Sequence, residues 1–475
     1  MVRRGPVSCV VMDDPPVFDD PGPPVFEPPS RGRRALTIAL LLTLVVSIVF
    51  LAFVSGRGVV QVTPEVTPSP PAVAPSPIAA RLAIVDAGGR LLTTDAAGGG
   101  AVPYGAPGTV YSFPAWSPDG SRIAVIGASM GGIQIDVFEV HDDGRAAVAP
   151  AVVYENLDRP PFYLYWAPDG RRLTFLTTEP DGLALHLVPA DASAPATIIR
   201  SGSPMYWAWA DPTRMLVHSG DGGPDGFFGE VGTDGASLEP TSIAPGGFRA
   251  PAVTSDGRFR AFVIPGDGTP GEIVVEARDR SNPHVLDVFG EAAIDFAPRT
   301  SALAFVAPTV ASGNAALPIG PLRLMEAASG QVRIILPGSV VAFFWAPDGR
   351  TVAALEISAP GGDQQAEAGE AVLAATTTIA SPSPAPGTAL RLVFVAADTG
   401  AIRSQRTVQV SDTFVQQVLP YFDQYALSHR LWSPDGASFV LPVVAGDGTD
   451  QLEVLRADGS QPRTVAGGVV GFWSP

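Results

Sequence analysis

Trp432-Ser433-Pro434-Asp435-Gly436 decides the fold, because it recurs. Trp116-Ser117-Pro118-Asp119-Gly120 is identical, and Trp166-Ala167-Pro168-Asp169-Gly170 and Trp345-Ala346-Pro347-Asp348-Gly349 differ at one residue. Worn copies stand at Trp209-Ala210-Asp211-Pro212, Val253-Thr254-Ser255-Asp256-Gly257 and Phe296-Ala297-Pro298, and a last one at Trp473-Ser474-Pro475. Each is a turn with a mechanism. Pro presets φ for the first turn position, Asp accepts hydrogen bonds from the turn's own amides, and Gly supplies positive φ.

What flanks the turns is β-structure. After the first copy, Arg122-Ile123-Ala124-Val125-Ile126 reads as a strand, Ile133 to Val140 alternates apolar and polar residues, and Asp142-Asp143-Gly144 turns the chain. Ala151-Val152-Val153-Tyr154 follows, and Phe162-Tyr163-Leu164-Tyr165-Trp166 opens the next unit. The Trp-equivalent positions fall at 116, 166, 209, 253, 296, 345, 432 and 473, at intervals of 50, 43, 44, 43, 49, 87 and 41 residues. That spacing fits one four-stranded blade per repeat.

Val469 to Pro475 supplies a first strand and stops. Leu82 to Asp86, Arg90 to Asp95 and the strand before Gly105 supply the remaining strands of a unit that lacks its first. Joining them closes a ring without exposed sheet edges. The expected fold is therefore all-β: a β-propeller over 81–475 of eight four-stranded blades, or seven if the worn copies at 253 and 296 do not count. The Trp-Ser-Pro-Asp-Gly turn followed by an Ile-Ala-Val strand resembles the repeat of TolB-type propellers, the WD40-like or PD40 β-propeller repeat. That resemblance implies the fold over nearly all of 81–475 and leaves function unspecified, because such propellers include binding modules and lids of serine peptidases. The membrane segment and the eight units depart from TolB, a soluble six-bladed protein, so its partner is not carried over.

Composition bounds the rest. The 475 residues carry a formal charge of −17, and every basic residue is Arg. Lysine chemistry is excluded, and a nucleic-acid partner is not expected without basic patches. The single Cys9 allows no intrachain disulfide and no cysteine metal site. Residues 1–34 read as a disordered cytoplasmic tail rich in Pro and Asp. Residues 35–54 are an uncharged apolar run that at helical rise spans roughly 30 Å, a bilayer core. Arg31, Arg33 and Arg34 precede it, which predicts a single-pass anchor with the N-terminus inside and the rest outside. A cleaved signal peptide is the rival, but its apolar region is usually about 7–15 residues. Residues 55–80 form a Pro-rich linker that acts as a semi-rigid spacer.

Two insertions break the repeat, at 359–388 and 411–429. The first is low-complexity, with Ser381-Pro382-Ser383-Pro384. In the second, Ser411 or Asp412 caps a helix carrying Phe414, Val415, Val418 and Leu419, interrupted at Pro420. Tyr421, Phe422, Asp423, Gln424, Tyr425 and His429 follow, where the repeat needs nothing. Aromatic rings with polar tips beside Asp, Gln and His suit recognition of a peptide or sugar. The same residues would equally pack the insertion onto its blade. Asp119, Asp169, Asp348 and Asp435 would share one face and could bind a cation or basic partner, although turn capping explains each one.

Catalytic motifs are poor. Gly127-Ala128-Ser129-Met130-Gly131 matches a nucleophile-elbow pattern but lies between two strands, not before a helix. His141, His186, His218, His284 and His429 form no metal-ligand spacing, and Asp447-Gly448-Thr449-Asp450 is half a calcium loop. No metal or cofactor is expected. The expectation is a non-enzymatic binding or scaffolding module in the bacterial envelope, with a protein or envelope ligand as partner. The alternatives are a hydrolase or lyase on peptide or glycan with its site in the central channel, and a sensor coupled to the short tail.

Overall fold

A computed structural model describes residues 80–141, 149–220, 226–238, 249–264, 266, 270–309, 318–357 and 389–475. The predicted tail (1–34), apolar segment (35–54), low-complexity insertion (359–388) and, apart from residue 80, linker lie outside these residues. Among the described residues no helix is long and apolar enough to cross a membrane.

The strands are antiparallel meanders in chain order. The first sheet holds β1 (Arg81–Val85), β2 (Leu91–Asp95) and β3 (Val102–Tyr104), the second β4 (Val110–Trp116), β5 (Arg122–Ser129), β6 (Gly132–Glu139) and β7 (Ala151–Glu155). The third holds β8 (Pro161–Trp166), β9 (Arg172–Glu179), β10 (Gly182–Pro189) and β11 (Thr197–Gly202), and the fourth β12 (Met205–Asp211), β13 (Arg214–Ser219) and β14 (Phe227–Gly232). Next come β15 (Ala252–Val253), β16 (Phe259–Ile264), β17 (Gly271–Ala277) and β18 (His284–Val288). A continuous ladder then runs through β19 (Ala293–Phe296), β20 (Ala302–Val306), β21 (Gly320–Glu326), β22 (Val332–Trp345), β23 (Thr351–Ile357), β24 (Ala389–Ala396) and β25 (Ile402–Gln409). The last sheet is β26 (Ser438–Val444), β27 (Asp450–Arg456) and β28 (Arg463–Gly467), while β29 (Val470–Trp473) returns to pair with β1. The register sets Leu82 opposite Trp473 and Val85 opposite Val470, as the shared-unit reading expects.

The protein is thus all-β, and successive three- and four-stranded meanders are the blades of a β-propeller. The 14-residue β22 serves two of them: Val332 to Leu336 pairs with β21, and Val340 to Trp345 pairs with β23. Gly338 sits between the halves because a Cβ there would lie 1.6 Å from the Glu356 carboxylate.

The repeat tryptophans stitch neighbouring sheets together. The indole Nε1 of Trp166 donates to Ala115 O at 2.9 Å, that of Trp116 to Phe472 O at 3.1 Å, and that of Trp432 to Phe344 O at 3.0 Å. Trp345 donates to Asp295 O at 3.2 Å. Each acceptor is the residue just before the Trp-equivalent position of another repeat unit, so the repeat specifies the contact between units as well as the turn. Apolar residues fill the space between sheet faces, with Leu82, Ile123, Phe175, Phe262, Phe305 and Phe343 among the fully buried side chains.

Candidate functional site

The insertion is where the first strands of the sheets meet. The structure carries it as a π-helical turn (Phe414–Val418), a 3-10 turn (Leu419–Tyr421) and a short helix, α1 (Phe422–Ala426). Ser411 starts it: its hydroxyl accepts the Phe414 amide at 3.3 Å. Contrary to the expected interruption, the chain stays helical past Pro420, which occupies the first turn of a new helical segment, where no amide donor is required. Phe414, Val415, Val418 and Leu419 are buried, as the stripe predicts.

The residues beyond Pro420 bind several sheets at once. Gln424 treats Trp207 in β12 as a strand treats its neighbour: its side-chain Oε1 accepts the Trp207 amide at 3.1 Å and its Nε2 donates to the Trp207 carbonyl at 3.0 Å. The Tyr163 hydroxyl in β8 donates to Gln424 O at 2.6 Å and accepts Ser428 Oγ at 2.8 Å. Tyr425 packs on Phe113 of β4 at 5.5 Å and on Tyr163 at 5.2 Å, ring centre to ring centre. Phe422 packs edge-on to Phe343 and Phe344 of β22, and His429 to Phe472 of β29 at 4.7 Å. Arg249, just before β15, holds Asp423 with Nε at 2.9 Å and Nη2 at 2.6 Å, and its Nη2 also donates to Pro420 O.

This grip costs backbone strain. Phe113 and Tyr163 have φ of 49° and 53°, a region that bulky residues rarely adopt. Both stand three residues before a repeat Trp, and both sit at irregularities in the strand register. The strain turns two aromatic rings toward Tyr425.

The expected recognition stretch is therefore largely interior. Phe422, Asp423, Gln424 and His429 are buried, Tyr425 is half-buried, and of these six residues Tyr421 alone is exposed, at 50%. Its side chains reach six first strands, or the residues just before them, instead of facing solvent. Burial pushes the His429 imidazole down to about 3, the Phe113 backbone contact opposing it. Burial, with the Asp423 charge second, pushes the Asp295 carboxyl in β19 up to about 8. Burial also raises the Glu291 carboxyl, against the Arg249 charge.

The turn carboxylates are held locally. Asp119 accepts the Ser121 amide at 3.1 Å and the Ser117 hydroxyl at 2.6 Å, and Asp169 accepts the Arg171 amide at 3.0 Å. Asp348 accepts the Arg350 amide at 2.8 Å and Asp435 the Ala437 amide at 3.0 Å. Burial works against it, but the Ser117 and Ser121 contacts hold Asp119 below its ordinary value. Ser129 lies at the β5–β6 hairpin, with no helix after it, and Asp447 caps its own turn through the Thr449 amide at 3.0 Å. Among the described residues no three His, Cys, Asp or Glu side chains are placed to hold a metal ion.

Sequence reasoning missed Arg249, Tyr163 and Asp295. The shared offset of Phe113 and Tyr163 from the Trp was a visible signal. Arg249 and Asp295 stand in the two most degraded repeats and carried none.

No protein-family model matches the chain, and no curated protein sequence matches it. Among solved structures it is similar to a eukaryotic initiation factor, at 10% identity and TM-score 0.49, over 83% of this chain and 98% of that one. It is similar to TolB from Acinetobacter baumannii at 14% identity and TM-score 0.36, over 79% and 68%. An oligogalacturonate lyase in complex with manganese matches at 14% identity and TM-score 0.38, over 74% and 75%. Likeness at this level is one of chain path and says nothing of activity.

Proposed function

We propose that the chain is a membrane-anchored binding or scaffolding module of the bacterial envelope, built on a closed eight-bladed propeller. Pairing of β29 with β1, and the double use of β22, support eight blades and closure. The apolar run 35–54 supports the anchor. One observation carries the non-enzymatic reading. The insertion packs against the first strands of several sheets, and its Gln424 and Asp423 are spent on Trp207, Tyr163 and Arg249. Binding is then left to the outer faces.

The test is photocrosslinking in cells, with the crosslinker placed in turn at Tyr421, Leu157 and Asp435. A discrete protein adduct at any of them supports a binding module. No adduct at all counts against it. The second reading, an enzyme acting on peptide or glycan, draws on Asp295, whose carboxyl is raised by burial and by the Asp423 charge, as suits a general acid. It expects turnover of such a substrate that vanishes in Asp295→Asn.

A further inference from the structure

The β5–β6 hairpin and the connection from β7 to β8 lie at the end of their sheets opposite the Trp-turns, because antiparallel strands alternate direction. Met130 tips the hairpin and is 96% exposed, and Leu157 in the connection is 71% exposed. Leu157 lies against the base of that hairpin: a Cβ on Gly132, two residues beyond Met130, would lie 3.1 Å from Leu157 Cδ2. Phe162, at the start of β8, adds a third exposed apolar side chain. No turn chemistry asks for Met and Leu at such positions, where Gly, Asn or Asp is usual. Exposed apolar residues grouped at one place mark an interaction site more often than residues scattered singly.

The rim of this patch is acidic. Glu155, Asp158 and Asp181 are exposed around it, and the Glu155 carboxylate lies within 3.9 Å of the Cβ position of Gly132. Arg159, in the same connection, is already paired with Glu179 at 3.2 Å. The polypeptide enters β1 at the other end of the domain, where Ser474 donates its amide to Arg81 O at 2.8 Å. The patch is thus neither an anionic-lipid surface nor a chain-entry point by its charge and place.

We propose that Met130, Leu157 and Phe162, rimmed by Glu155, Asp158 and Asp181, form a docking surface for a basic protein segment that carries apolar side chains. Apolar contact would supply the affinity, and the carboxylates would select the partner by charge and speed its arrival. This names the face and partner chemistry of the binding module proposed above and rests on that reading.

The experiment uses the full-length protein in neutral detergent and a fluorescent peptide of alternating Arg and Leu, followed by anisotropy. Met130→Ser with Leu157→Ser, and separately Glu155→Arg with Asp158→Arg, are each expected to weaken binding about tenfold or more. Asp435→Arg, on the turn side, is expected to leave it unchanged. A peptide of alternating Glu and Leu is expected to bind only the charge-reversed variant, a gain that misfolding cannot produce. Equal binding of the Arg peptide by every variant overturns the proposal, since attraction to net charge alone would explain it. Binding of anionic-lipid vesicles that depends on Met130 and Leu157 also overturns it, in favour of a membrane. A cellular adduct at Tyr421 or Asp435 without one at Leu157 refutes this surface while sparing the binding module. Peptide binding that depends on the patch, with no adduct anywhere, does the reverse.

Discussion

Trp116, Trp166, Trp345 and Trp432 each spend an indole N–H on a carbonyl of another repeat unit, whereas the buried Nε1 of Trp473 has no hydrogen-bond partner among the described residues. The two kinds of site separate packing from hydrogen bonding. Trp166→Phe leaves the Ala115 carbonyl without its partner, and a loss of about 1–3 kcal/mol is expected on top of the change in shape. Trp473→Phe removes a donor that was already unmet, so its cost is expected to be smaller by about that amount. Urea midpoints of the two variants, compared at equal m-value, measure the difference. A second residue-scale effect concerns pH. The Asp295 carboxyl is raised from 3.8 to about 8, so its share of stability is complete below pH 3.8 and is lost as pH rises toward 8. The His429 imidazole is lowered from 6.5 to about 3, so its share is complete above pH 6.5 and is lost as pH falls toward 3. Thermal melts across this range are expected to show Asp295→Asn flattening the alkaline limb and His429→Gln the acid limb. The turn residues were legible in the sequence because their chemistry is local: Gly120 and Gly436 take φ of 73° and 66° behind a Pro and an Asp. The indole's acceptor was not, since no pattern within a repeat reveals which backbone lies 3 Å beyond it.

At the scale of elements, the insertion is a wedge held by one ion pair. Arg249 and Asp423 are both buried, with side chains 6% and 0% exposed. Removing one partner strands the other, so Asp423→Ala is expected to cost about 3–5 kcal/mol. Replacing both together, Arg249→Met with Asp423→Leu, is expected to recover most of that loss. Equilibrium unfolding of the three variants forms the cycle that checks it. The insertion's helical nature was readable from its apolar stripe and from Ser411. Its destination was not. Tyr, Asp, Gln and His in a break of a repeat look like a recognition loop, and they differ from one only in meeting Tyr163, Trp207 and Arg249, which are 174 to 261 residues away in sequence. Long-range partners of this kind leave no local period to read.

For the whole molecule, the question is what ties the last sheet to the first. β1 lies between β29 and β2, and Arg81 and Ser474 exchange backbone and hydroxyl hydrogen bonds. If the ring is closed, deleting residues 470–475 opens it and exposes one edge of β1 together with the Trp116 indole, whose acceptor is Phe472 O. The expected outcome is loss of a single cooperative transition, read as circular dichroism and tryptophan fluorescence no longer coinciding. Equal midpoints by both probes, at undiminished stability, would count against closure. This pairing was legible because each end of the chain lacked what the other had. The exposed Met130 and Leu157 were not, because in a sequence an apolar residue in a turn is indistinguishable from one in a core.

β22 has one more implication. It begins at the rim, with Val332 and Ile334 exposed, and ends at the axis, where Phe343 and Phe344 touch Phe422. In a propeller, rim and axis are ordinarily joined through a loop, which absorbs movement. Here a single ribbon crosses from one blade to the next without a turn, like a spoke fixed at both ends. A push or pull on the rim at Arg333 would be delivered along backbone to Phe343 and Phe344, and through them to Phe422 of the wedge.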